Sequence, residues 1–101
     1  MIIKTFKNDD ELTLKIEGFF DCTEITEYDR FLEQELGKHS YKTLLIDLSD
    51  LEFIDSMGMG RLIILKKKII KDEKLIKIIH VSDDIKSIFK IAELSQYLLD
   101  E

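Results

Sequence analysis

A serine set between an aspartate and two glycines, Asp55-Ser56-Met57-Gly58-Met59-Gly60, is the stretch of this 101-residue chain whose residue types suit chemistry best. It follows the apolar run Leu44-Leu45-Ile46 and opens a helical pattern, which places the hydroxyl at a strand-to-helix junction. The first amides of a helix have no intrahelical partner and the dipole there is positive, so an oxyanion or a phosphate is well received. Gly58 and Gly60 remove side chains near that end, leaving room for another protein's backbone or nucleotide to approach Ser56. Two readings follow. Ser56 accepts a phosphoryl group from a partner, or Ser56 or Asp55 caps the helix while the glycines relieve crowding.

Other chemistries find less support. There is no Gly-x-Ser-x-Gly elbow, and neither His39 nor His80 stands in a sequence relation to Ser56. No Gly-Lys-Ser/Thr follows the glycines, so a phosphate-binding P-loop is excluded. The lone Cys22 has no disulfide partner in the chain and no Cys/His spacing suits zinc; it reads as a small buried apolar residue in a reducing compartment. No metal or cofactor site is expected. The formal net charge is -6, residues 1–55 carry 6 basic against 14 acidic residues, and Arg30 and Arg61 are the only arginines, which argues against a nucleic-acid binder. Nor does any apolar run approach the roughly 18 residues of a membrane span. The opening Met1-Ile2-Ile3-Lys4 lacks the pattern of a signal peptide, so a cytoplasmic protein is expected.

The elements that must hold Ser56 follow from periodicity. Ile2–Phe6 and Leu12–Ile16 alternate about the turn residues Asn8-Asp9-Asp10 and predict a hairpin whose second strand ends at Gly18. Ile25, Tyr28, Leu32 and Leu36 space a first helix over 23–36, with Asp21 or Thr23 as cap and Gly37 at its C-terminus. Thr43–Leu48 reads as a central strand buried on both faces, and 47–55 as a connection. A second helix over 57–70 turns Met59, Leu62, Ile63, Leu65, Ile69 and Ile70 inward and leaves Lys66, Lys67 and Lys68 in solvent. Leu75–Val81 is a further strand, Ser82 caps a third helix with Ile85, Ile88, Phe89 and Ala92 on its apolar stripe, and Tyr97-Leu98-Leu99 adds a short last strand. The order implies an α/β domain over residues 1–101, a four- or five-stranded mixed sheet with helices packed on it. At this size a cleft walled by several loops has little room, which disfavours a self-contained enzyme.

The segment Leu44 to Leu65, centred on Asp55-Ser56-Met57-Gly58, resembles the STAS domain of bacterial anti-sigma factor antagonists, and Gly18-Phe19-Phe20-Asp21 resembles the end of that family's second strand. Met57 stands where the family usually has a small residue, and the chain reaches Glu101 before the C-terminal helix that many members carry. The resemblance implies that Ser56 is phosphorylated by a serine kinase that doubles as the anti-sigma factor and brings its own ATP and Mg²⁺, with a PP2C-type phosphatase as the opposing enzyme. Asp21, Asp55, Met57 and Gly58 would form the docking surface, with Phe19 as an apolar anchor beside Asp21. Phosphate adds about -1.5 to -2 charge, which beside Asp55 and Asp21 would repel an acidic partner surface and release the kinase. The alternative implied by the same family is a constitutive subunit of a transporter or signalling assembly, without phosphorylation.

Overall fold

The computed structural model describes residues 1–99; the last two residues of the expected domain, Asp100 and Glu101, lie outside them. Seven residues of β1 (Ile2–Asn8) turn through Asp9, which takes a positive φ, into the ten-residue β2 (Glu11–Phe20). A 3-10 turn (Cys22–Glu24), α1 (Ile25–Glu35) and a second 3-10 turn (Leu36–Lys38) lead to β3 (Thr43–Asp47) and β4 (Leu51–Ile54). Then come α2 (Ser56–Lys71), β5 (Leu75–Ile79), α3 (Asp83–Ile91) and α4 (Ser95–Leu99). The sheet is mixed and five-stranded. Its path runs β1-β2-β3-β5, antiparallel for β1 with β2 and parallel thereafter, and β4 pairs parallel with the far end of β2.

One face of the sheet carries the core. Leu12, Leu14 and Ile16 of β2, Leu44 and Ile46 of β3 and Ile78 of β5 are buried in one cluster with Tyr28 of α1, Leu62, Leu65 and Ile69 of α2, Phe89 of α3 and Leu98 of α4. The opposite face holds the intervening residues, half-buried Thr13, Lys15, Leu45 and Asp47 and exposed Lys77. β3 is therefore not buried on both faces as expected: its Leu-rich composition conceals a period of two, because Leu45 stays half-buried on the open face while Leu44 and Ile46 enter the core. A forked ion pair joins the first two helices, Arg61 Nε to Asp29 Oδ1 at 2.9 Å and Nη2 to Oδ2 at 3.1 Å.

Several expected elements move. Gly18 does not end β2, which runs on to Phe20 with Gly18 at φ 88°, and Gly37 sits inside a 3-10 turn rather than beyond the helix. Within 47–55 lies a strand, β4. Ile70 faces solvent, as does Ala92, because α2 and α3 present narrower stripes than their apolar residues suggest. Tyr97-Leu98-Leu99 is helical, not extended. Only Leu98 is wholly buried there, and Lys66 of α2 donates from Nζ to the Tyr97 carbonyl at 2.5 Å. Lys66 is accordingly 8% exposed rather than part of a solvated lysine face, while Lys67 and Lys68 are exposed.

Candidate functional site

Parallel pairing of β2 with β4 sets Phe20 beside Ile54 in register. The residues that follow, Asp21 and Asp55, therefore leave the sheet side by side at its carboxyl end, each as the cap of what comes next. Asp21 Oδ1 accepts from the Thr23 amide at 3.0 Å and the Thr23 hydroxyl at 2.5 Å, closing the 3-10 turn before α1. The Thr23 hydroxyl first, and its amide second, hold the Asp21 carboxyl below its ordinary pKa. Asp55 is the N-cap of α2. Its Oδ1 accepts from the Gly58 amide at 2.9 Å and its Oδ2 from the Cys22 amide at 2.9 Å. One carboxylate thus caps a helix and pins the β2–α1 loop to it.

Ser56 is the first residue of α2 and is exposed. Asp55 performs the capping, and the Ser56 hydroxyl makes no hydrogen bond to another described residue. Of the two possible caps the structure selects Asp55, which leaves the serine oxygen unengaged at the positive end of a sixteen-residue helix. Met57 beside it is 46% exposed.

The glycines act differently from one another. Gly58 is buried, and a Cβ there would lie 2.4 Å from the Phe20 carbonyl oxygen and 2.7 Å from Ile54 Cγ1. Its missing side chain lets α2 start against the paired ends of β2 and β4; it does not open space for a partner, and only through its amide does it touch the site. Gly60 faces open space, with nothing within 4 Å of a built Cβ.

Phe19 is exposed and Phe20 wholly buried, the Phe20 ring lying 4.6 Å from that of Tyr28. Cys22 is exposed, not buried: it stands in the 3-10 turn at the surface, where its amide donates to Asp55. The histidines stay apart from Ser56. His39 Nε2 lies 3.8 Å from Glu35, and His80 Nδ1 lies 3.3 Å from Asp47 Oδ2. Burial of Asp47 opposes its ionisation, yet the bonds from Ser49 and His80 outweigh it and lower the carboxyl pKa. Sequence reasoning missed two participants, the Cys22 amide and Phe53, whose ring pairs with that of Phe19 at 6.2 Å. An aromatic two residues before a strand-ending aspartate was the available signal for Phe53. Among the described residues no group of three His, Cys, Asp or Glu is arranged to hold a metal ion, and no helix is long and apolar enough to cross a membrane.

Solved structures share this architecture at low identity. An anti-sigma factor antagonist from Mycobacterium paratuberculosis is 18% identical with a TM-score of 0.81, over 96% of this chain and 81% of that one. The Bacillus anti-sigma factor antagonist SpoIIAA, in its unphosphorylated form, is 12% identical with a TM-score of 0.75, over 97% and 86%. A sulfate transporter family protein from Wolinella succinogenes is 17% identical with a TM-score of 0.75, over 93% and 75%. These likenesses concern the fold. The model of the STAS domain family matches residues 2–99, essentially the whole of the described chain with its Asp55-Ser56 junction, and the protein belongs to that family.

Proposed function

We propose that this STAS domain is an anti-sigma factor antagonist: unphosphorylated, it sequesters a serine kinase that is also an anti-sigma factor, and phosphorylation of Ser56 ends the complex. The observation that carries the reading is the exposed, unengaged Ser56 hydroxyl, with capping done by its neighbour Asp55. A phosphate there is tolerated by the helix, whose N-terminal amides and dipole favour an anion. On the partner's side the balance is opposite. A kinase active site already holds nucleotide phosphates, so a second anion next to Asp21 and Asp55 meets like charge as the faces close. The chain supplies the hydroxyl nucleophile; ATP, Mg²⁺ and the base belong to the kinase, and a PP2C-type phosphatase would reset the switch.

The test is phosphoryl transfer. Purified protein is incubated with ATP, Mg²⁺ and each small histidine-kinase-like ATPase of the source organism, and its intact mass is followed. A gain of one phosphate, lost in Ser56→Ala and accompanied by release of the bound ATPase, supports the switch. A second reading, a constitutive subunit of a transporter assembly, draws on the likeness to the Wolinella protein. It expects permanent co-purification with a membrane partner and no modification at Ser56.

A further inference from the structure

β4 contains an irregularity that turns an aromatic ring the wrong way for a core. Its register with β2 pairs Gly18 with Leu51 and Phe19 with Phe53, so Glu52 is an extra residue, a β-bulge. Strict alternation from the buried Leu51 would send Phe53 inward and Ile54 outward. With the bulge, Leu51 and Ile54 are buried while Glu52 and Phe53 are exposed. Phe53 then lies against Phe19 across the strand pair, centroids 6.2 Å apart and planes tilted by 41°, and the two rings remain 40% and 52% in solvent. The fold gains little from aromatic rings kept in water. A partner that covered them would gain much, since large aromatics are the usual anchors of interfaces.

We infer that Phe19 and Phe53 together anchor the docking of a protein partner whose facing surface offers an apolar pocket rimmed by Lys or Arg. This rests on the partner-switching reading and replaces its acidic partner surface: the rim that meets the carboxylates is basic, and the like charge that a phosphate on Ser56 meets is that of the kinase's nucleotide phosphates. The aromatic pair is continuous with the phosphoacceptor end of the domain, Phe19 standing two residues before Asp21 and Phe53 three before Ser56. Charge selects the occupant. Asp21, Glu52 and Asp55, each within two residues of one of the rings in sequence, make an acidic collar, while Lys4 of β1 is held by Glu17 at 3.1 Å and Lys15 of β2 by Asp50 at 2.9 Å. An acidic collar repels nucleic acid and anionic lipid, and a twofold contact of this face with a second copy would set collar against collar. A pocket with a basic rim satisfies both the rings and the carboxylates.

The experiment titrates the full chain against each purified small histidine-kinase-like ATPase of the source organism, by calorimetry at two salt concentrations. Threonine replaces phenylalanine to keep strand preference. Phe19→Thr and Phe53→Thr should each weaken binding at least about tenfold, and the double variant should lose less than the product of the two, because the rings act as one contact. Glu52→Lys should weaken binding and flatten its salt dependence. Phe53→Leu should restore most of the affinity, which separates loss of the apolar anchor from damage to the bulge. Wild-type binding left undiminished in both threonine variants overturns the anchor and leaves the switch reading standing. Failure of every ATPase to bind the wild type overturns both. Wild-type protein that elutes as a dimer, and is made monomeric by Phe53→Thr, assigns the rings to a second copy and also overturns the inference.

Discussion

A carboxylate oxygen of Asp55 accepts the amide hydrogen of Cys22 at 2.9 Å, thirty-three residues away in sequence. Its other oxygen caps α2 through Gly58. Loss of a helix cap costs about 0.5 to 2 kcal/mol, and a hydrogen bond to a charged group about 1.5 to 3. Asp55→Ala should therefore lower unfolding free energy by about 2 to 5 kcal/mol in urea denaturation. Asp55→Asn, which keeps one acceptor oxygen, should lose roughly half as much.

Ser56 should behave in the opposite manner. Because its hydroxyl bonds to no other described residue, Ser56→Ala should stay within about 0.5 kcal/mol of the wild type. Ser56→Asp adds an anion to the first turn and should be as stable or up to about 1 kcal/mol more so. Against the proposed kinase partner, however, the two should differ at least about tenfold in Kd, alanine binding tightly and aspartate weakly. Equal affinities by calorimetry would remove Ser56 from the switch.

Two glycines two residues apart predict opposite signs. At Gly58 an added methyl meets a backbone carbonyl at 2.4 Å, which cannot turn aside, so Gly58→Ala should cost about 1 to 3 kcal/mol and displace the start of α2. Gly60→Ala enters open space inside a helix and should stabilise by up to about 1 kcal/mol. Thermal melts of the pair distinguish close packing from a general requirement for flexibility.

Asp21 gives a pH dependence. Its folded pKa is held below the ordinary 3.8 by Thr23, so the unfolded chain binds the proton more readily than the folded one. The stability it confers is present above about pH 4 and is lost as pH falls through the depressed folded value. Wild type and Asp21→Asn should thus differ in denaturation midpoint at pH 6 and converge on acidification toward pH 2. A gap that persists at the acidic end would show that the carboxylate's charge is not the cause.

Periodic segments were legible in the sequence and irregular ones were not. Leu12, Leu14 and Ile16 announce β2, and Ile25 with Tyr28 the start of α1, because each repeats one geometry over several residues. β4 carries no such signal. Its bulge leaves the pattern buried, exposed, exposed, buried, which breaks the strand's period of two and over four residues imitates helical spacing, and so hides both the strand and Phe53. At α4 the run Tyr97-Leu98-Leu99 is too short for period to decide, and the partner that matters, Lys66, is thirty-one residues away. The Asp55-Ser56 junction was visible as residue types. That Asp55 alone is the cap, and that Gly58 faces inward, depends on the pairing of Phe20 with Ile54, which composition does not encode.

Three strands of the sheet pair on one side alone, β1, β4 and β5, and the first and last of these end its main path. Open backbone edges invite further strands to add, and polymerisation is the hazard. Lys4 and Lys7 on β1 and Lys77 in the middle of β5 are exposed, so a copy of the same strand added there would set lysine against lysine or bury an ammonium group. Replacing Lys4, Lys7 and Lys77 by valine is expected to promote fibre formation on concentration, a colloidal property set by three side chains remote in sequence from Ser56.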